Sequence, residues 1–171
     1  SVADMLGVAT EVIAGAIAKL EPFAGRLQVL DGVNDSQIID DTYNSSPLAT
    51  RAALDVLYAA DALQKIAILG DMNELGETSA DEHRTLGGYC RADELDYVVT
   101  IGVQSREYLA PAAREAGCQV KSFTDPVRAG EFVRDVLQSG AIILAKGSQN
   151  GVFAEEAVKQ LLRNPSDAGK L

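Results

Sequence analysis

Three short runs of the chain are almost entirely apolar, and they limit the folds that it can adopt. The runs are Lys65–Gly70 (KIAILG), 97–102 (YVVTIG) and 141–145 (AIILA). A continuous apolar run of strand length is typical of a strand covered on both faces, as in a parallel sheet. Segments with helical spacing of apolar residues lie between the runs. The alternation predicts a doubly wound α/β fold, in which a mostly parallel sheet of about six strands carries helices on both faces.

Further elements follow from local signals. Residues 26–30 and 37–40 are predicted to form a hairpin that leads into the sheet, because a turn-rich segment joins them. Residues 120–123 predict another short strand. Ser79 and Glu82 have the spacing of a capping box, which predicts that a helix begins there.

The charge balance argues against some classes of partner. The formal net charge is −10, whereas binding to nucleic acid or to an anionic membrane needs clustered Lys and Arg. No apolar run reaches the roughly 18 residues of a membrane-spanning helix, and no secretory signal is evident. Cys90 and Cys118 lack metal-site spacing and are expected as buried thiols. Neither a nucleic acid nor a membrane is therefore expected as a partner, and the expected compartment is the cytoplasm.

The segment QIIDDTYNSSP, residues 37–47, concentrates polar groups at the end of a predicted strand. Asp40 and Asp41 end the apolar run where parallel sheets place their ligand sites, at the carboxyl edge. Ser46 suits the N-cap of the next helix, and Pro47 suits its first position. The pattern predicts a binding edge. The alternative is that these residues only cap the helix and shape a turn.

Two other predicted strands end in polar groups at the same edge. Asp71 begins the segment DMNELG, whose carboxylates suit the ammonium group of an amine. Lys146 and Ser148 follow the last strand, and a lysine there suits a carboxylate or a phosphate. The carboxylates are too scattered around a single histidine to predict a metal site. No G-x-x-x-x-G-K-[ST] loop is present either, so no phosphate cradle of that kind is expected.

Four segments in order resemble the C-terminal domain of Mur ligases, the ATP-dependent amide ligases of peptidoglycan precursor synthesis. They are GRLQV (25–29), IDDTYNSSP (39–47), ILGDMNELG (68–76) with His83 after it, and KGS (146–148). The resemblance implies a Rossmann-like domain at 23–163. It also implies that 1–22 is the last helix of a preceding central domain with its linker, and that 164–171 is a flexible tail.

The resemblance also implies roles for residues at the predicted edge. The family's Gly-Arg brings a guanidinium towards the nucleotide phosphates, which corresponds to Arg26 here. Asp41 is expected to accept hydrogen bonds from the ribose hydroxyls, with Asp40 as the alternative. Tyr43 and Asn44 are similar to residues beside the adenine. Expected on the substrate side are Asp71, Asn73, Glu74, His83, Lys146 and Ser148.

Within the family, the pattern is most similar to the branch that adds D-Ala-D-Ala to UDP-MurNAc-tripeptide. That similarity implies ATP and Mg²⁺ as cofactors, with the metal ligands and the catalytic residues mainly in a central ATPase domain outside this chain. The chain alone is therefore expected to be inactive. The family's usual arginine after Ser148 is replaced by Gln149, which leaves the amine substrate open. The alternatives are a ligase of the folylpolyglutamate or cyanophycin synthetase type, and a non-catalytic nucleotide-binding α/β module.

Overall fold

A computed structural model describes residues 2–20, 23–148 and 151–171. Six strands form one sheet in the order β1-β2-β6-β3-β4-β5. β1 is antiparallel to β2 and every other neighbouring pair is parallel, so the predicted hairpin and the mostly parallel sheet are confirmed. The strands are β1 (Gln28–Asp31), β2 (Gln37–Asp41), β3 (Lys65–Gly70), β4 (Tyr97–Ile101), β5 (Val120–Phe123) and β6 (Ile142–Lys146).

Helices cover both faces of the sheet, as predicted. The helices are α1 (Val2–Met5), α2 (Thr10–Ile17), α3 (Pro47–Ala59), α4 (Ser79–Tyr89), α5 (Ala110–Glu115), α6 (Pro126–Val136) and α7 (Ala154–Lys159), and those that pack on the sheet are α3 to α7. The side chains of β3 alternate between two apolar cores: Ile66 and Ile68 pack towards α6 and α7, whereas Ala67 and Leu69 pack towards α3, α4 and α5. Burial on both faces explains why β3 has no polar alternation.

The amino-terminal segment differs from the single helix expected there. It forms the short helices α1 and α2, with Gly7 between them at a φ of 77°. Neither helix contains a buried residue. Residues 1, 21 and 22 of the predicted segment 1–22 lie outside the described residues, and the assignment of this segment to a preceding domain stays a prediction.

Two further local expectations differ from the structure. A 3-10 turn, Gly76–Thr78, runs directly into α4, so Ser79 is already helical and does not cap the helix with its side chain. Residues 164–171, expected as a frayed tail, include the 3-10 helix Pro165–Lys170. Ala168 and Leu171 of this segment pack against the core beneath α6 and α7, which gives the segment an apolar anchor.

No helix among the described residues is long and apolar enough to cross a membrane. Cys90 and Cys118 are both buried and unpaired, as the sequence predicts. Burial raises the pKa of the Cys90 thiol to about 12.

Candidate functional site

A buried ion pair joins the carboxyl ends of β2 and β6. Asp41 and Lys146 are register partners in this parallel pair, so their side chains leave the sheet side by side. Lys146 Nζ lies 2.8 Å from Asp41 Oδ2, and the two side chains are only 3% and 11% exposed. The ammonium group also donates to the backbone oxygens of Asp41 and Asn44. An ammonium group has three N–H donors, so Lys146 is saturated by oxygens of its own chain.

This saturation changes the expected role of Lys146. A direct contact with a substrate, as the sequence predicts, requires the ammonium group to give up a partner inside the protein. The structure instead shows Lys146 holding the segment from Asp41 to Asn44 in place. Its contact with a substrate stays a prediction.

The two neighbouring aspartates have different surroundings. Asp41 Oδ1 accepts a hydrogen bond from the Leu27 N–H at 3.2 Å, and Asp41 lines a cavity. Asp40 is fully buried, and its Oδ1 accepts bonds from the N–H and the hydroxyl of Thr42. Asp40 Oδ2 has no hydrogen-bond partner among the described residues, and burial raises the pKa of this carboxyl group. Position at the cavity therefore favours Asp41 over Asp40 as the residue that meets a ligand.

The cavity beside Asp41 has a volume of about 330 Å³. One wall is the chain at Arg26 and Leu27, and another is the loop 41–46. The third wall is the first part of α3, where the small side chains of Ala49, Ala52 and Ala53 leave space. The N-terminus of α3 also has backbone N–H groups without helical partners. Such a mixture of carboxylate, amide, cation and apolar wall suits a nucleoside with its phosphates.

An aromatic and cationic surface adjoins this cavity. The Arg26 guanidinium lies 4.4 Å from the centroid of the Tyr43 ring, a cation–π distance. Phe23 joins them around a shallow cavity of about 430 Å³. Gly25 allows this approach: its φ is +65°, and a Cβ there would lie 2.8 Å from the Tyr43 nitrogen. Arg26 and Tyr43, each expected near the nucleotide, are therefore in contact with each other at the edge, with the tyrosine half-exposed.

The end of β3 joins the same edge through Asp71. Its carboxylate accepts backbone N–H bonds from Gln104 at 3.2 Å and from Ser105 at 2.6 Å, which caps the π-helical segment Ser105–Leu109. Gly102, at a φ of +112°, leaves room for this carboxylate, since a Cβ there would lie 2.4 Å from it. Asp71 therefore performs a capping role, and its predicted contact with an ammonium group stays a prediction.

Ser148 connects the loops that follow β2, β3 and β6. Its hydroxyl lies 3.5 Å both from Asn44 Oδ1 and from the backbone oxygen of Asp71. Asn44 Oδ1 is also the acceptor for the Ser45 N–H. Asp41, Asn44, Asp71, Lys146 and Ser148 thus gather at one edge, as the sequence predicts for strands that end in parallel.

The structure separates His83 and Glu74 from that group. His83 is 0% exposed, so its side chain has no access to a ligand in this conformation. Glu74 lies exposed in the loop that begins at Asp71, with a φ of 63° that is rare for a residue with a side chain. Asn73, in the same loop, is partly buried and has an interaction of its own. Gln149 lies outside the described residues.

The backbone partners of the Asp41 and Asp71 carboxylates could not be predicted from the sequence. Every residue except proline has a backbone N–H group. The N–H groups of Leu27, Gln104 and Ser105 therefore have no sequence signature. Thr42 could have been found, since an Asp followed two positions later by Thr is a common local hydrogen-bonding pattern.

Similarity to known proteins identifies the family and supports the fold. The model of the family described as Mur ligase, glutamate ligase domain, matches residues 25–149. The chain is 30% identical over 162 residues to the UDP-N-acetylmuramoyl-tripeptide–D-alanyl-D-alanine ligase of Bacillus subtilis, covering 93% of the chain and 35% of the relative. A crystal structure of MurF from Acinetobacter baumannii matches with 29% identity and a TM-score of 0.70, over 90% of this chain and 35% of that one.

A MurF ligase from Thermotoga maritima in complex with ADP matches in fold, with 24% identity and a TM-score of 0.71, over 93% of this chain and 36% of that one. The fold is therefore that of an α/β domain of ligases. The chain belongs to the Mur ligase family and corresponds to its C-terminal domain. It spans about a third of the length of the relatives that it matches.

Proposed function

We propose that the chain acts as the C-terminal domain of an ATP-dependent ligase that joins D-Ala-D-Ala to UDP-MurNAc-tripeptide in the cytoplasm. The observation that supports this most is the cavity beside Asp41, bounded by Arg26 and by the N-terminus of α3. The relatives named for this reaction support the choice of substrates.

The proposal assigns the steps of the reaction to this domain or to the preceding domain according to the motifs that this chain contains. The tripeptide carboxylate becomes an acyl phosphate in the preceding domain, because this chain has no phosphate loop. The amine of D-Ala-D-Ala attacks the acyl carbon, and the tetrahedral adduct collapses to the amide and phosphate. Among the described residues, no group of three or more acidic, histidine or cysteine side chains could hold a metal. The resemblance to Mur ligases assigns the Mg²⁺ ligands mainly to the preceding domain.

In this proposal the Asp41 carboxylate still has free hydrogen-bond acceptor sites for the nucleotide. A carboxylate offers about four lone-pair sites, and two of them are taken by Lys146 and by the Leu27 N–H. The remaining sites accept bonds from the ribose hydroxyls. Arg26 faces the phosphates, since its fork suits phosphate oxygens, and Tyr43 stacks on the base.

The test uses the longer protein in which this domain is joined to its preceding domains. Phosphate release is expected to require ATP, UDP-MurNAc-tripeptide and D-Ala-D-Ala together, and this chain alone is expected to release none. Asp41→Asn keeps an acceptor for the Leu27 N–H and removes the charge. It should raise the KM for ATP about tenfold, which corresponds to about 1.4 kcal/mol.

The matched control is Asp61→Asn, an exposed carboxylate beyond the far end of α3. It should leave the KM for ATP within twofold. Equal effects of the two substitutions would refute the nucleotide site. Turnover with glutamate and a folate in place of the peptide substrates would identify the folylpolyglutamate type instead.

A further inference from the structure

The buried imidazole of His83 is engaged at both nitrogens. The Met72 N–H donates to Nε2 at 3.0 Å, and Nδ1 lies 2.7 Å from the backbone oxygen of Ser79. A carbonyl oxygen only accepts, so Nδ1 carries the proton and Nε2 is the acceptor. The neutral ring with its proton on Nδ1 is therefore the form that fits both partners.

These bonds tie α4 to the start of the loop 71–76. Met72 is 2% exposed, so without His83 its N–H would be buried and would lack the hydrogen-bond acceptor that Nε2 provides. On the other side of the loop, the Asp71 N–H donates to the Ile101 oxygen at 3.1 Å. The first two residues of the loop are thus anchored, and the exposed Glu74 follows at a φ of 63°.

The same helix end is connected to the site edge. The Ser79 hydroxyl donates to the Gln104 side chain at 3.1 Å, and the Gln104 N–H donates to the Asp71 carboxylate. His83, Ser79, Gln104 and Asp71 therefore form a closed set of contacts around the base of the loop. A set of this kind fixes the direction in which Asn73 and Glu74 leave the sheet.

We propose that His83 is a positioning residue, which holds the loop 71–76 in the conformation that presents Asn73 and Glu74 to the ammonium group of the amine substrate. This inference rests on the proposed function for the identity of the substrate. It replaces the expectation that His83 itself contacts the substrate, because a fully buried ring makes no such contact.

The test compares two substitutions in the longer ligase. His83→Leu removes the acceptor for the Met72 N–H and keeps the apolar volume. His83→Gln supplies an oxygen near the position of Nε2. His83→Leu is expected to raise the KM for D-Ala-D-Ala about tenfold with the KM for ATP within twofold, and His83→Gln should recover most of that loss.

The control is Val133→Ala, which truncates a fully buried side chain on α6, in the core on the other face of the sheet, to which no residue of the loop 71–76 belongs. It should lower the melting temperature and leave both KM values within twofold. An equal rise in the amine KM for Val133→Ala would show that His83 acts only through stability. A rise in the ATP KM instead would overturn the assignment of the loop to the amine.

A second readout needs no activity. In the 171-residue chain, the amide hydrogen of Met72 should exchange at least tenfold faster with solvent in His83→Leu than in the unchanged protein, and His83→Gln should restore its protection. Unchanged exchange would refute the anchoring role. The two proposals can fail separately. If the unchanged ligase does not use D-Ala-D-Ala, the proposed function and the substrate assignment of the loop are both refuted. If the Met72 amide still loses its protection in His83→Leu, the anchoring of the loop by His83 is confirmed independently of the substrate.

Discussion

Replacement of Lys146 by methionine tests how the edge of the sheet is held together. The substitution keeps an unbranched apolar chain as far as Cε and removes the ammonium group of a side chain that is 3% exposed. It leaves the Asp41 carboxylate buried without its counter-ion, and two backbone oxygens without their donor. Breaking a buried pair from one side costs about 3–5 kcal/mol. Since one kcal/mol shifts the Tm of a chain of this size by about 2–4 °C, a fall of roughly 10 °C is expected.

A double-mutant cycle separates the coupling energy of Lys146 and Asp41 from the effects of the single substitutions. Asp41→Asn alone should also destabilise the fold, and the double variant should be less destabilised than the sum of the two, by at least about 1.5 kcal/mol. The measurement is urea unfolding followed by circular dichroism, with equal m-values as a check that the unfolded states are comparable.

The chain offers a matched pair as the control. Arg84 Nη1 lies 2.7 Å from Asp81 Oδ1, close to the 2.8 Å of the buried pair, but these side chains are 53% and 83% exposed. Their coupling should be about 0.2–1 kcal/mol and should weaken in 1 M salt, whereas that of Lys146 and Asp41 should persist. A Lys146–Asp41 coupling no larger than that of the surface pair would refute the reasoning from burial.

Two further predictions concern stability. Burial raises the folded-state pKa of Asp40, so the ionised form costs stability above that pKa and the cost disappears below the unfolded value of 3.8. Asp40→Asn should therefore stabilise the protein at pH 7 and give a smaller gain at pH 4.5, as measured by urea unfolding; a larger gain at pH 4.5 would contradict the sign. Deletion of residues 1–22 should leave the calorimetric Tm within about 2 °C, since α1 and α2 contain no buried residue. Loss of cooperative unfolding on deletion would show that these helices belong to the core.

The sequence predicted the strands and the common edge because both depend on local patterns. The apolar run at Lys65–Gly70 is a strand buried on both faces, as its composition requires. Asp41, Asp71 and Lys146 reach the same edge because each lies at the carboxyl end of a parallel strand or directly after one.

What the sequence did not indicate depends on contacts between distant segments. The bond from Lys146 to Asp41 spans 105 residues, so the saturation of Lys146 follows only from the register of β2 and β6. His83 was expected on the substrate side, whereas its side chain is fully buried. The buried ring accepts a hydrogen bond from the Met72 N–H, which would otherwise be buried without an acceptor. Nothing in the sequence indicates that this N–H requires a side-chain acceptor.

The position of β6 in the sheet has a consequence for how the chain is made. β6 lies between β2 and β3, so these two strands have no direct pairing with each other and meet only through a strand completed at Lys146. During synthesis, the edges of β2 and β3 that pair with β6 therefore remain unpaired while more than half of the domain is added. Open strand edges favour pairing with other chains, and non-local pairing slows folding. Truncation before β6 should convert the domain into an aggregating chain rather than a smaller folded one.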